Sequence, residues 1–353
     1  MPMTQGPDML SGLLAGLRII DLSRNLPGPF CTRLLADLGA TVIKVEPPEG
    51  DPTRPLAPLF DALNHGKDGR RIDFRETADI EKLRGWLADA DVMLDSFRSG
   101  VLTSLGLDFE TLSEINPKLV MVSITGYGQH GPWAGRGGHD LNFLAISGAL
   151  DQMRAPGGEL AMSNVPWGDM AGGSSLACIA ILAALFECQR SGRGRHIDIS
   201  MAHGAHAHLI LPIATASLFA PILGRNPGAG EDLLNGGLPC YNLYATADGR
   251  HLAVAALEFK FWAAACAVFD RPDWVLRHWQ RGLLPGSAEN AALRDEVAAL
   301  VLTRTLADWS ERFERADACV TPVLSVAEAR AHALFAPGFR MQPWSAVAGG
   351  DPS

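Results

Sequence analysis

Several signals that identify common protein classes are absent from this 353-residue sequence. There is no Walker A loop and no GxGxxG after the first predicted strand, so no motif supports binding of ATP or NAD. The net charge of −9 argues against broad nucleic-acid binding, and we expect no nucleic-acid partner. The six cysteines include no CxxC pair and lie mostly in apolar contexts, which predicts reduced thiols and a cytoplasmic location.

Signals for export or membrane insertion are also missing. The N-terminus lacks a basic region followed by an apolar one, so we expect no signal peptide. The apolar, alanine-rich segment 174–186 is too short to cross a bilayer, which predicts a buried helix and no membrane partner. The length and the 47% hydrophobic content suit a globular protein of two domains.

Strand-like and helix-like segments alternate over the first 200 residues. Helical spacing between the apolar runs, with Gly39 and Gly192 as stops, predicts the intervening helices. The apolar runs predict strands at 17–22, 41–45, 92–94, 119–124 and 196–200. The alternation predicts an α/β fold with a large Rossmann-like parallel-sheet domain, whose ligands lie beyond the carboxyl ends of the strands.

A glycine-rich connection at 224–237 marks the predicted domain boundary. We predict that residues 1–223 form the large α/β domain. Residues 224–324 would form a smaller α+β domain with its linkers, from strands near 240–245 and 251–255 and three following helices.

The stretch Ile124–Leu150 contains the first candidate site. Six glycines between 126 and 138 allow sharp turns and a close approach to a ligand, and they lead directly to His139 and Asp140. A second acid, Asp169, follows in the segment WGDMAGGSS. Asp169 could be only a helix N-cap and His139 only a structural residue, but both positions also suit catalysis. We therefore predict that His139 and Asp169 flank one carbon atom of a substrate.

Two other groups of residues are candidates for ligand binding. His203, His206 and His208 have spacings that occur in metal sites, but no acid or cysteine follows at ligand spacing, so we predict no metal site. Several basic residues follow predicted strands, where a phosphate-bearing ligand would lie. The basic residues of this early cluster are Lys44, Arg54, Lys67, Arg70, Arg71, Arg75 and Arg98.

With these motifs in order, the sequence resembles the α-methylacyl-CoA racemases of the family III CoA-transferase superfamily. The resemblance runs from about residue 14 to 324. It is carried by the segments LAGLRIIDLSRNLPGPFCTRLLADLGATVIKVEPP, DSFRSGVLTSLGLD, SITGYGQHGP, GGHDLNFLAISG, WGDMAGGSS, GGLPCYNLYATADGRHLAVAALE and DACVTPVL. The sequence departs from the family pattern at Phe259 and Pro47, where the family has a proline and, in some racemases, a basic residue.

The resemblance implies an enzyme of lipid metabolism that inverts the α-carbon of 2-methyl-branched acyl-CoA thioesters through an enolate. His139 and Asp169 would be its acid/base pair, and Glu258 would assist His139. CoA contacts are implied at Arg98, Arg75 and Lys44, and we also predict them at Gly138 and Asp140. CoA would be part of the substrate, with no metal or organic cofactor. The resemblance also implies that residues 1–223 bind CoA and that the chain rejoins this domain at about 325–353.

The resemblance further implies an interlocked homodimer, with each site formed by one subunit's large domain and the other's small domain. Two alternatives remain open. In a family III CoA transferase, Asp169 would be the nucleophile that accepts the acyl group. A non-catalytic acyl-CoA-binding protein would bind the thioester without exchanging its α-proton.

Overall fold

The computed structural model describes residues 12–154 and 158–335, which form two compact units. Of the described residues, the first unit contains 12–150 and 163–209, and the second contains 151–154, 158–162 and 210–335. The division therefore lies at 209/210 and not at the predicted boundary of 224. Apolar residues continue across 209/210 into the helix Ile210–Leu223, so no change in composition marks the division in the sequence. The segment 325–335 belongs to the second unit, and the predicted return of the chain beyond it lies outside the described residues.

The first unit is built on a six-stranded parallel sheet in the order β3-β2-β1-β4-β5-β6. The strands are β1 (Arg18–Asp21), β2 (Thr41–Glu46), β3 (Asp68–Arg71), β4 (Val92–Asp95), β5 (Val120–Thr125) and β6 (Arg195–Ser200). This arrangement confirms the predicted α/β fold. The strand order reverses between β1 and β4, and ligands of such sheets bind in the crevice at this reversal.

Helices cover both faces of the sheet, because alternate strand residues point to opposite sides. Ile19 packs in one core with α1 and α7, and Ile20 packs in the other with α3 and α5. The α-helices of this unit are α1 (Pro27–Asp37), α2 (Ala57–Asn64), α3 (Thr77–Leu87), α4 (Val101–Ser104), α5 (Phe109–Ile115), α6 (Asp140–Ser147), α7 (Leu176–Ser191) and α8 (Met201–Ala207).

Strand β3 and helix α2 were not predicted. All four residues of β3 are exposed, so the strand carries no apolar signal. Helix α2 has only one buried residue, Leu63. An edge strand pairs through its backbone and needs no buried side chain, which explains why its sequence gave no indication of it.

The helix that follows Trp167 is continuous over 24 residues, with a π-helix at Gly168–Ser175 leading into α7. It is longer than the apolar segment 174–186 from which no membrane span was expected. With a mean hydropathy of 1.7, it has the length and composition of a span. The expectation of a buried helix is met only in part, because 39% of this apolar window is buried. Ala177 and Ile181 of α7 are fully buried in the first unit, whereas Ile179 and Phe186 are exposed.

The second unit is α+β, as predicted. Its antiparallel sheet has the order β7-β8-β9, and its core contains three buried tryptophans, Trp262, Trp274 and Trp309. Each indole N–H of these tryptophans donates a hydrogen bond. The elements are α9 (Ile210–Leu223), β7 (Tyr241–Ala245), β8 (His251–Ala255), α10 (Phe259–Phe269), α11 (Ala288–Val301), α12 (Leu306–Phe313), β9 (Val320–Pro322) and α13 (Val326–Ala331).

Candidate active site

A cavity of about 570 Å³ lies in the first unit, where the loops after three neighbouring strands meet. Arg24 and Asn25 follow β1, Arg98 follows β4, and Tyr127 follows β5. Since β1 and β4 flank the reversal of strand order, the cavity occupies the place that the fold predicts for a ligand. His139 and Asp169 both line it, so the structure brings the two predicted acid/base residues to one cavity.

His139 directly precedes α6, and its backbone N–H donates to the Asn142 side chain at 3.1 Å. The glycines before His139 leave room for the ring of Phe143. A Cβ at Gly126 would lie 2.4 Å from the Phe143 ring, and one at Gly138 would lie 2.7 Å from the same ring. Phe143 is buried, so these glycines allow α6 to pack closely beneath the loop that carries His139.

Asp169 is the second residue of the π-helix, so it is not the N-cap considered from the sequence. Its backbone N–H donates to Oδ1 of Asp140 at 2.9 Å. Burial, and secondly the negative charge of Asp140, raises the pKa of Asp169 to about 7. A carboxyl group with this pKa can both donate and accept a proton near neutral pH. Short π-helical segments occur frequently at functional sites.

The π-helix is fixed against α8 by two facing glycines. A Cβ at Gly172 would lie 2.7 Å from the Ala205 nitrogen, and one at Gly204 would lie 2.0 Å from the Gly172 carbonyl oxygen. Neither contact leaves room for a side chain. The segment WGDMAGGSS therefore needs its glycines for the packing that places Asp169 on the cavity wall.

Three arginines line the cavity: Arg24, Arg98 and Arg136. Within residues 12–154 and 158–335, none of them has a carboxylate within ion-pair distance. Arg136 stacks over Trp133 at 4.0 Å, and Arg24 lies over Phe97 at 5.3 Å. Unpaired guanidinium groups at one cavity can bind phosphates. Only Arg98 was predicted, although Arg24 follows β1 and could have been found by the same strand-end rule.

The three histidines with metal-like spacing are each engaged separately. Their Nδ1 atoms lie 2.8 Å from Ser200 Oγ, 2.9 Å from the Ser147 carbonyl and 2.7 Å from the Gly204 carbonyl, for His203, His206 and His208 respectively. In the part of the chain that the structure describes, no three His, Cys, Asp or Glu side chains form a group able to hold a metal ion.

Comparison with known proteins assigns the chain to a family. The model of CoA-transferase family III matches residues 14–345. The chain belongs to this family. It is 35% identical to the alpha-methylacyl-CoA racemase of Mus musculus over 320 residues, which cover 91% of this chain and 80% of that protein.

Transferases and a solved structure are also similar to the chain. It is 31% identical to the acetyl-CoA:oxalate CoA-transferase of Acetobacter aceti over 342 residues, covering 92% of this chain and 84% of that protein. The crystal structure of a CAIB/BAIF family protein from Brucella suis covers 91% of this chain and 86% of its own, with a TM-score of 0.74 and 29% identity. The protein is thus an enzyme of the family III CoA-transferase/racemase group.

Two of the CoA contacts predicted for this family III enzyme do not reach the cavity. Lys44 is 1% exposed, and its Nζ lies 3.1 Å from Oδ2 of Asp51. Arg75 is exposed and is paired with Asp73 at 2.7 Å. Neither lies on the cavity wall, since Lys44 points into the protein and Arg75 is held on the surface.

The other predicted residues are placed as follows. Arg98 and Gly138 line the cavity. The Asp140 side chain is directed to the Asp169 backbone and is not part of the wall. Glu258 belongs to the second unit, where it is exposed and directly precedes α10.

Proposed function

We propose that this family III enzyme is a racemase that inverts the α-carbon of 2-methyl-branched acyl-CoA thioesters by proton transfer between two acid/base groups. The observation that carries the proposal is that His139 and Asp169 line one cavity, where burial and the charge of Asp140 raise the pKa of Asp169 to about 7. A nucleophilic carboxylate functions in its ionised form, whereas an acid/base group benefits from a pKa near the working pH. The similarity to alpha-methylacyl-CoA racemase supports the same reading.

In the proposed mechanism, one of the two residues removes the α-proton and the other delivers a proton to the opposite face. His139 would be the base for one enantiomer and Asp169 for the other. The planar enolate between these steps carries negative charge on the thioester oxygen. The start of α6, next to His139, offers backbone N–H groups without helical partners that can stabilise this charge.

CoA would serve as the handle that positions the reacting carbon, because binding energy from remote groups can orient the reacting atoms. The proposed phosphate partners are Arg98, predicted from the sequence, and Arg24 and Arg136, found in the structure. This reaction needs no metal or organic cofactor, since CoA is part of the substrate. The six free thiols support the proposed cytoplasmic location.

We propose a homodimer in which Glu258 of the partner subunit assists His139. Exposed apolar side chains on helices of both units support a further interface between the subunits, in addition to the contact of Glu258 with the partner's site. Ile179 and Phe186 on α7 are each 63% exposed, and Ile210 on α9 is 77% exposed. Such side chains favour burial against another surface. We propose that the exposed apolar side of α7 is buried in this interface. We propose neither a membrane nor a nucleic acid as a partner.

The second candidate function is CoA transfer with Asp169 as the nucleophile, and the similarity to acetyl-CoA:oxalate CoA-transferase favours it. Incubating the enzyme with acyl-CoA and hydroxylamine or borohydride distinguishes the two. A transferase should yield a trapped acyl derivative at Asp169, whereas a racemase should yield none.

The proposed racemase is tested by exchange of the α-proton in deuterated water. Each pure enantiomer of a 2-methylacyl-CoA is incubated with enzyme, and deuterium content and configuration are followed together. We expect deuterium to enter the α-position while the configuration is lost, over a panel of acyl groups of different length. No exchange with any member of the panel, together with retained binding and no trapped acyl derivative at Asp169, would support the non-catalytic acyl-CoA-binding protein.

A further inference from the structure

The side chain of Asp140 connects the two elements that carry His139 and Asp169. Asp140 is the first residue of α6, and its Oδ1 accepts the backbone N–H of Asp169 at 2.9 Å. A Cβ at Gly168 would also lie 2.9 Å from this oxygen, so a side chain there would press on the carboxylate. The Asp140 carboxylate thus lies against the backbone of the residue before Asp169 and binds the backbone of Asp169 itself.

We propose that Asp140 is a positioning residue whose carboxylate fixes the Asp169 backbone and whose negative charge favours the protonated form of the Asp169 carboxyl. The inference rests on the proposed acid/base role of Asp169. It assigns Asp140 a task different from the CoA contact predicted from the sequence.

Two like charges that are close together disfavour ionisation of one of them. Besides burial, Asp140 is the group that raises the pKa of Asp169. Arg98 and Arg136 on the cavity wall are exposed, so solvent and salt screen their opposing effect. The other charged or titratable groups on the cavity loops and on the elements packed against the π-helix are Arg24, Cys31, Arg33, Asp37, Arg98, Tyr127, Arg136, His139, Cys178, Glu187, Cys188, Arg190, Arg195, His196, Asp198, His203 and His206.

The raised pKa of Asp169 has a consequence for a racemase, because the two enantiomers react with two different protonation forms of the enzyme. Conversion of either enantiomer begins with one of the two residues, His139 or Asp169, protonated and the other unprotonated. With ordinary pKa values of about 3.9 for Asp and 6.5 for His, the form with a charged histidine and a charged aspartate would exceed the other by about 10²–10³-fold. Raising the pKa of Asp169 towards that of a histidine brings the two forms to similar populations. Asp140 would therefore keep both protonation forms of the enzyme populated near neutral pH.

The variant Asp140→Asn separates charge from hydrogen bonding, because the amide oxygen can still accept the Asp169 N–H while the negative charge is lost. The matched control is Asp198→Asn. The Asp198 carboxylate also accepts one backbone N–H, that of Gln129 at 2.7 Å, but it does not contribute to the shift at Asp169.

The titration of Asp169 can be measured without activity, by carbon-13 NMR of enzyme labelled at the aspartate carboxyl groups. The Asp169 signal is identified by its loss in Asp169→Asn. We expect its apparent pKa to fall by about one unit or more in Asp140→Asn and to stay unchanged in Asp198→Asn. The acid limb of the pH profile for α-proton exchange should move to lower pH by the same amount.

An unchanged Asp169 titration in Asp140→Asn would overturn the inference, whatever the reaction proves to be. If the titration shifts as expected but the wild-type enzyme exchanges no α-proton, the electrostatic role of Asp140 stands and the proposed racemase function fails. If Asp140→Asn lowers the exchange rate equally at every pH without moving the profile, its role is only structural and the inference is wrong.

Discussion

Nζ of Lys44 lies 3.1 Å from Oδ2 of Asp51, and both side chains are almost completely buried. Lys44 also donates to the Ser23 carbonyl. Removing one partner of a buried pair leaves the other charge uncompensated, at a cost of about 3–5 kcal/mol. Lys44→Ala should therefore lower the free energy of unfolding by about this amount, without a specific rise in the Michaelis constant for acyl-CoA.

Urea unfolding and substrate kinetics at a temperature where the variant is folded measure both effects. Arg75→Ala is the matched control, because Arg75 is an exposed member of the same predicted basic group and its ion pair with Asp73 lies in water. It should change neither quantity measurably. If Lys44→Ala had normal stability but bound CoA weakly, Lys44 would have to be a CoA contact after all.

Arg98→Ala should weaken acyl-CoA binding while leaving the fold intact. A charge-assisted contact to phosphate contributes about 1.5–3 kcal/mol, which corresponds to a rise in the Michaelis constant of about tenfold or more. Arg24→Ala and Arg136→Ala should act in the same direction, because both side chains line the same cavity. The measurement is the Michaelis constant at low and high salt, since salt should reduce the difference between variant and wild type. An unchanged constant would remove the substituted arginine from the proposed phosphate site.

A single substitution of either acid/base residue should abolish inversion but leave α-proton exchange in one of the two enantiomers. His139→Ala retains Asp169 as a base, so it should still exchange the α-proton of the enantiomer whose proton faces Asp169. Asp169→Ala should show the opposite preference. Loss of a placed general base typically reduces the rate about 10²–10⁴-fold, so residual inversion should be small in both.

Mass spectrometry of each enantiomer after incubation in deuterated water measures this asymmetry. A transferase should instead lose its activity with Asp169→Ala and retain most of it with His139→Ala. Equal loss of exchange on both enantiomers in both variants would contradict the two-face assignment, even for a racemase.

The pKa of Asp169 also predicts a pH dependence of stability. Its pKa is raised from 3.8 to about 7, so the folded protein binds the proton more tightly than the unfolded chain does. The stabilisation from this proton is therefore fully present below about pH 4 and is lost as the pH rises through 7. The variant Asp169→Asn has no such loss. Relative to wild type it should gain stability between pH 4 and pH 8, by about 4 kcal/mol at most.

Urea unfolding of wild type and variant at several pH values gives this difference directly, because all other groups titrate in both proteins. Asp89→Asn serves as control, since Asp89 is exposed before β4 and its removal should give a difference that varies little with pH. A difference for Asp169→Asn that is the same at pH 4.5 and pH 8 would mean that the Asp169 pKa is not raised.

The proposed dimer predicts that charges on the exposed side of α7 disrupt assembly. The double substitution of Ile179 and Phe186 by aspartate should convert a dimer into a folded monomer, because burying a charge in an apolar interface is costly. Leu56→Asp is the control, as Leu56 is similarly exposed before α2. Sedimentation velocity gives the mass, and circular dichroism reports the fold. A wild-type enzyme that is monomeric and fully active would contradict the shared site with Glu258 of the partner subunit.

The amino-acid sequence alone determined the framework of this enzyme. Short apolar runs predicted five of the six strands of the parallel sheet, and strand-end positions indicated where a ligand would lie. His139 was found because it ends the glycine-rich stretch that follows strand β5. Asp169 was found because it lies among the glycines that precede helix α7. These features are local, since burial of a strand and the freedom of a glycine depend mainly on the residue types themselves.

Tertiary structure decided which side chains meet. The sequence placed Lys44 with Arg98 as a candidate phosphate ligand, but folding buried Lys44 against Asp51 and left Arg98 on the cavity wall. The contact between Asp140 and the Asp169 backbone joins residues 29 positions apart. Both the direction of a charged side chain and the pKa of a carboxyl depend on atoms that other parts of the chain bring within a few ångströms. A one-dimensional pattern does not contain these distances, whereas the folded chain fixes them.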